Sequence, residues 1–357
     1  MLHGAEIFVS PWVPYNAYLA VDFFFLLSGY VLARGFDDRL RAGWAAPFMV
    51  RRLIRLYPFV VAGSLIGGLM LLLRSILAHA LPLSLVGLHT ACSLLLAPTP
   101  PILSQNWSIY PNDPPLWSLF YELLANLAYA LLAPWLSNRV LAVILAASAG
   151  AFAGAILIFH SADFSLDHFE FGGVRVTFSF FLGVAFFRLE GHLPAWLGCD
   201  QRPATRNLVT ALSFLVLAAV LFSPAKLSAA YALVSIFLVF PALLLLALRF
   251  ETAALRRTFV FLGAVSYPVY ALHHPFFRLM SGVFVHNAAL PLRMIGLSFS
   301  VVGAVALAWL ADRFYDAPIR RWLIAHLLIR SQRRTGGVRD LAAASPSAPI
   351  SLHKPGA

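Results

Sequence analysis

The chain of 357 residues is 61% hydrophobic and only 11% charged, with a formal net charge of +11 and a mean hydropathy of +0.81. A soluble domain carries roughly a quarter charged residues, so this composition excludes an ordinary soluble fold and predicts a polytopic membrane protein. The basic surplus flanks apolar runs, which ties it to membrane topology and excludes nucleic acid as its explanation. The two cysteines, Cys92 and Cys199, form neither a metal spacing nor a disulfide framework.

A helix crosses the hydrocarbon layer in about 20 residues. Runs of that kind lie near 16–35, 58–78, 115–136, 139–159, 174–189, 207–223, 228–248, 258–280 and 292–312. A tenth apolar stretch, 83–97, is short and holds His89, Thr90 and Cys92. The basic residues decide whether it crosses. They cluster at Arg34 to Arg55, Arg188 to Arg206, Arg249 to Arg257 and from Arg313 onward, while 1–15, 79–114 and 160–173 hold no Lys or Arg. All four basic clusters fall on one side only if 83–97 does not cross, so it reads as re-entrant or interfacial. The expectation is an all-α transmembrane bundle of nine spans, ten if 83–97 also crosses. It occupies residues 1–330, with a cytoplasmic C-terminus and a disordered tail over 331–357. An odd number of spans places Met1 outside the cytoplasm with no signal peptide to carry it there. One further helix is therefore expected ahead of the chain.

Ionisable groups are costly in lipid and face the protein interior or a watery cavity. The run "VDFFFLLSGY" carries Asp22, Ser28 and Gly29. Asp22 calls for a polar partner, and the two small residues suit close helix approach. In "RRLIRLYP", Arg52 and Arg55 share a helix face ahead of Pro58. That arrangement fits a phosphate-bearing ligand or ordinary lipid headgroup contact. In "PPLWSLFYELLANLAYALLAP", Glu122 lies about two turns into a span, near Trp117, Ser118 and Tyr121. It is either a structural partner for an arginine or a site carboxylate. In "VSYPVYALHHPFF", Tyr267, Tyr270, His273 and His274 lie on one apolar run that Pro268 and Pro275 interrupt. The adjacent histidines point different ways and no third ligand recurs, so they suggest a hydrogen-bonding or substrate role ahead of metal. His3, with Glu6 behind it, is unremarkable taken alone.

Together these segments resemble the membrane acyltransferase-3 family, bacterial O-acyltransferases acting on cell-surface carbohydrates. The matching elements are "FFLLSGY", Arg52-x-x-Arg55-x-x-Pro58, Trp117-Ser118-Leu119-x-x-Glu122, and Ser266-Tyr267-x-x-Tyr270-x-x-His273-x-Pro275. A closing Asp316-x-Pro-x-Arg stands where Glu is usual in the first position. The resemblance places His3 at the family's essential histidine, whose basic partner eleven residues earlier would precede this chain. It implies a multi-pass protein of the bacterial inner membrane that moves an acyl group, acetyl foremost, from cytoplasmic acyl-CoA to a hydroxyl of an extracytoplasmic or lipid-linked carbohydrate. It implies no resident cofactor or metal. It assigns His3 as base or acyl carrier, Glu122 as its orienting group or a sugar-binding group, and Arg52 and Arg55 to the donor phosphates. Trp117, Ser118, Tyr267, Tyr270 and His273 would then line the pocket, while Asp22, Ser28, Gly29, Pro58 and Pro275 would shape it. A transporter or flippase of acyl or glycolipid substrates is the competing class, because Glu122 and broken helices suit it as well. An inactive relative is the third.

Overall fold

The computed structural model describes residues 16–79, 81–103, 109–160, 169–192, 202–223, 228–250, 254–284 and 289–329. Among these residues all regular structure is helical. In chain order the helices are α1 (Ala20–Arg41), α2 (Ala45–Ala78), α3 (Leu83–Leu94), α4 (Leu116–Leu132), α5 (Asn138–Phe159) and α6 (Phe169–Leu189). They continue with α7 (Pro203–Leu221), α8 (Ala229–Arg249), α9 (Arg256–Phe284), α10 (Leu290–Ala311) and α11 (Ala317–Leu323). A wide i→i+5 turn over Ser235–Val239 interrupts α8, and another over Asp312–Asp316 joins α10 to α11.

Among the described residues seven helices are long and apolar enough to cross a membrane: α1, α2, α5, α6, α7, α8 and the α10–α11 run. Two of the nine expected spans fall outside that criterion. Helix α4 has 17 residues, a rise of about 25 Å against roughly 30 Å of hydrocarbon. Helix α9 has 29 residues but carries the polar cluster Ser266 to His274. Helix α3, within the ambiguous 83–97 stretch, has only 12 residues and rises about 18 Å. The chain reverses after it at Leu96, which takes a left-handed φ of 52°.

Polarity is inverted relative to a soluble protein. Val143, Leu157, Leu215, Val260 and Val302 are exposed, whereas Asp22, Asp113, Glu122, Asn126, Arg175 and Asp316 are buried. Lipid tails solvate leucine as well as a protein core does, so the hydrophobic effect does not drive these helices together. Tight backbone contact and polar pairing must do it. Helices α1 and α6 pack through two glycines. A Cβ on Gly29 would collide with the carbonyl of Phe180, and one on Gly183 would collide with the carbonyl of Leu26. Gly63 and Gly67 on α2 likewise admit Asp113 and the carbonyl of Asn112.

Prolines stand inside two continuous helices, α2 and α9. Pro58 gives no N–H to the carbonyl one turn before it, and nearby carbonyls accept from other helices: Leu56 from the Tyr267 hydroxyl at 2.6 Å and Pro58 from the Tyr315 hydroxyl at 2.9 Å. Pro275 withholds the N–H that the Ala271 carbonyl would take, and that carbonyl faces α2 at Gly63. The α1–α6 contact yields a direct expectation. Gly29→Val would force the two backbones apart, costing about 1–3 kcal/mol as overpacking does elsewhere. The check is a lower unfolding temperature of the detergent-solubilised protein.

Candidate functional site

Helices α2 and α9 run from the arginine-rich end of the bundle toward the opposite end, and α1, α4 and α6 run back. That antiparallel arrangement carries side chains from distant segments to one polar line. At its centre Arg52 of α2 donates from Nη2 to Oε1 of Glu122 on α4 at 2.5 Å. Ser28 of α1 reaches the same carboxylate oxygen at 3.4 Å. Glu122 is buried and Arg52 nearly so. A carboxylate in that position requires such a partner, since an unpaired charge would be severely penalised.

Toward the arginine-rich end, Arg55 donates to Asp316 at 3.4 Å, and Arg320 approaches the same oxygen at 2.7 Å. The Arg55 guanidinium lies 5.5 Å from the centre of the Tyr267 ring, and cations favour such aromatic faces. Close by in sequence, Trp44 has the guanidinium groups of Arg39 and Arg51 at 5.4 and 5.1 Å from its ring. Two arginines held by internal carboxylates keep their charge poised. An incoming dianion must displace Asp316 or share it.

Toward the opposite end, the Ser118 and Tyr270 hydroxyls are 2.5 Å apart. Both lie within reach of the Pro115 carbonyl, at 3.1 and 3.2 Å, so one hydroxyl donates to the other and the second donates to that carbonyl. The Tyr270 ring also stacks on Phe24 of α1, with 6.4 Å between centroids. His273 contacts the carbonyls of Val269 and Tyr270 through Nδ1, at 3.2 and 2.7 Å. Those short contacts hold Nδ1 as the protonated nitrogen. Trp117 packs edge-on to Tyr121 and lies 5.6 Å from the Arg175 guanidinium.

Asp22 finds its partner in Arg175 of α6, through bonds of 2.9 and 2.7 Å from Nε and Nη2. Arg175 also donates to the Tyr18 carbonyl at 2.7 Å, and both side chains of the pair are fully buried. A third cluster closes the arginine-rich end. Asp37 accepts from Tyr129 at 2.6 Å and from Arg188 at 2.8 and 3.2 Å.

Of the residues the sequence singles out, the structure therefore brings together Arg52, Glu122 and Ser28, then Arg55 and Tyr267, then Ser118, Tyr270 and Trp117. Gly29 lies on the far side of α1 from the ion pair, against α6. Pro58 and Pro275 lie inside helices that continue through them, α2 and α9, so the expected break of the 258–280 run at Pro268 and Pro275 is not seen. His3 lies outside the described residues, as do Glu6, Cys199 and the tail 331–357. Two participants escaped the sequence reading, and His274, named there beside His273, was given no role of its own. Arg175 sits in no motif, yet a lone arginine in an apolar run was a signal that Asp22 had a counterion. Asp113 sits in the connection before α4. Asp113 is fully buried with neither carboxyl oxygen hydrogen-bonded among the described residues, and that burial pushes its carboxyl well above the usual carboxylate range. Asn126, one turn beyond Glu122 on the same face, is also buried with its amide unpaired.

A family model described as an acyltransferase domain matches residues 2–313. "Protein 2 in picA locus" of Rhizobium radiobacter is 33% identical over 165 residues, covering 42% of this chain and 82% of that protein. No solved structure matches the chain.

The Asp22–Arg175 pair is the most deeply buried of the ion pairs. Arg175→Ala would leave a buried carboxylate uncompensated and destabilise the bundle by about 3–5 kcal/mol. An apolar pair of similar volume, Asp22→Leu with Arg175→Met, would recover most of that loss. Thermal unfolding of the two variants in detergent separates these outcomes.

Proposed function

The chain belongs to the membrane acyltransferase-3 family, and from that premise we propose that it transfers an acyl group, acetyl foremost, from cytoplasmic acyl-CoA to a hydroxyl of an extracytoplasmic or lipid-linked carbohydrate. The single observation that carries this reading is the polar line through an apolar bundle, with the Arg52–Glu122 pair at its midpoint and Arg55 on its basic side. A phosphate-bearing donor suits guanidinium groups at one end, because arginine presents a planar fork of donors to phosphate oxygens. Arg55 would exchange Asp316 for a donor phosphate, and Arg52 would keep Glu122 ionised while contacting another.

From that anchor the pantetheine arm runs along α2 and α9 toward Tyr270 and Ser118. At the far end the acceptor oxygen attacks the thioester carbonyl, forming a C–O bond. The tetrahedral oxyanion needs nearby donors, and Tyr270 with Ser118 supplies hydroxyls at that level. The C–S bond then breaks. The hydroxyl proton passes to His3, which the family resemblance puts forward as base, and from there to the leaving thiolate, giving ester and free CoA. An acyl-His3 intermediate is the two-step form of the same balance. The transport reading has lost its ground, since the chain's family is enzymatic; Glu122, its strongest support, has a static partner in Arg52.

The test follows CoA release and acetyl product with proteoliposomes and labelled acetyl-CoA. Arg55→Ala is expected to raise the acetyl-CoA KM on the order of tenfold with kcat little changed, as for a group that binds ground and transition states alike. His3→Ala is expected to abolish turnover while leaving donor binding intact. Unaltered donor KM in Arg55→Ala and Arg52→Ala together would remove the arginine end from the mechanism.

A further inference from the structure

Asp113 has no role in the chemistry above, yet its position is costly. It is fully buried, both carboxylate oxygens lack a hydrogen-bond partner among the described residues, and His274 Nδ1 stands 4.0 Å from Oδ1. Buried polar atoms are nearly always satisfied, and among the described residues none gives this carboxyl a hydrogen bond, which suits it to a partner that a bound ligand would bring. Gly63 is what lets the carboxyl seat there. A Cβ on Gly63 would lie 2.8 Å from Asp113 Oδ2 and 2.9 Å from the Ala271 carbonyl oxygen. Two acceptor atoms of different segments thus converge on one glycine, and the second is the carbonyl that Pro275 deprives of its helical N–H.

Two helices measure how far this corner lies from the arginines. Gly63 follows Arg55 by eight residues on α2 and His274 follows Tyr267 by seven on α9, which are rises of about 12 and 10 Å. Arg55 stacks on Tyr267 and Gly63 meets Asp113, so both rulers start and end at the same levels. A donor held by its phosphates at Arg55 would therefore present the far end of its arm in the neighbourhood of Asp113. The 4.0 Å gap has a meaning of its own. One oxygen at about 2.8 Å from each of two polar atoms, at roughly a right angle, holds them about 4 Å apart.

We propose that Asp113 and His274 form the acceptor-hydroxyl subsite, in which a hydroxyl of a polyhydroxylated acceptor hydrogen-bonds with the Asp113 carboxyl group and lies against the His274 imidazole. Gly63 gives that carboxyl its place beside the Ala271 carbonyl. The ligand class follows from the chemistry: a corner rich in acceptors selects hydroxyl donors and rejects phosphate or carboxylate. The assignment rests on the acyl-transfer reading and names which end of the polar line takes the second substrate. Asp113 is a binding and positioning residue here, and the proton still leaves through the base already assigned.

The experiment gives the full chain in proteoliposomes labelled acetyl-CoA and increasing methyl β-D-glucopyranoside. Acetylated glucoside, free acetate and CoA are quantified separately. Asp113→Asn is expected to raise the glucoside KM by about fivefold, as for loss of one buried hydrogen bond, while the acetyl-CoA KM stays within about twofold. His274→Gln is expected to raise the same KM by a smaller factor, on the order of threefold. The retained acetyl-CoA KM reports that each variant is folded. Should Asp113→Asn not assemble, Asp113→Glu, which keeps the carboxyl group but moves it, must show the same split. An unchanged glucoside KM, or an equal rise in both KM values, overturns the proposal. So does an activity that depends on Ca2+ and loses that dependence in Asp113→Asn, which would make the carboxylate a cation ligand. A parent protein that releases CoA only as acetate hydrolysis overturns the subsite alone. A parent that releases no CoA at all overturns the acyl-transfer reading beneath it.

Discussion

The bond between the Arg52 guanidinium and the Glu122 carboxylate joins α2 to α4 in the middle of an apolar bundle. Neither ion could remain there without the other. Removing one partner of such a pair leaves a charge whose desolvation cost is several kcal/mol. The same necessity recurs at Asp22 with Arg175, which joins α1 to α6, and at Asp316 with Arg55, which joins the turn before α11 to α2. Asp37 with Arg188 and Tyr129 closes α1, α6 and α4 at the arginine-rich end. Each pair reaches between segments far apart in the chain. In a medium that gives apolar side chains no reason to associate, these pairs specify which helices are neighbours.

Charge pairing sets partners, and small residues set distance. Gly29 and Gly183 let α1 and α6 meet backbone to backbone, while Gly63 and Gly67 let the 109–115 connection settle against α2. Close approach is what allows short side chains to meet. Ser28 could not come within 3.4 Å of Glu122 if α1 stood a methyl group further out. The prolines add a complementary device. Pro58 and Pro275 withhold N–H groups from the Ile54 and Ala271 carbonyls, and beside Pro58 the carbonyls of Leu56 and Pro58 itself also take tyrosine hydroxyls from α9 and the α10–α11 turn. Packing and chemistry therefore share their residues, and one polar line both holds the bundle together and offers the functional groups.

Much of this was legible in the chain. Low charge and high hydropathy require a membrane bundle, because so few ionisable groups cannot solvate a globule of this length. The helix positions follow from apolar run length, and α4 and α9 depart from the length-and-hydropathy criterion for visible reasons: one is short and the other carries the Ser266 to His274 cluster. Arg52, Arg55 and Glu122 were readable as candidates because each is costly where it stands. What the pattern did not carry was pairing. Asp22 announced a missing partner without naming Arg175, which lies 153 positions later. His273 drew attention through its motif, yet its imidazole is turned onto its own helix, while His274 faces Asp113.

The sequence by itself determined the solvent of this protein, the helical class and the short list of groups expensive enough to matter. Those are properties of residue type and spacing, which a one-dimensional pattern contains in full. Only the tertiary structure decided which acid meets which base, that Ser28 joins the central pair, and that Asp113 is left with two open oxygens against Gly63 and Ala271. Those depend on the rotation and separation of helices drawn from distant parts of the chain. A difference of a few ångströms there turns a buried carboxylate from a structural counterion into a site awaiting a ligand.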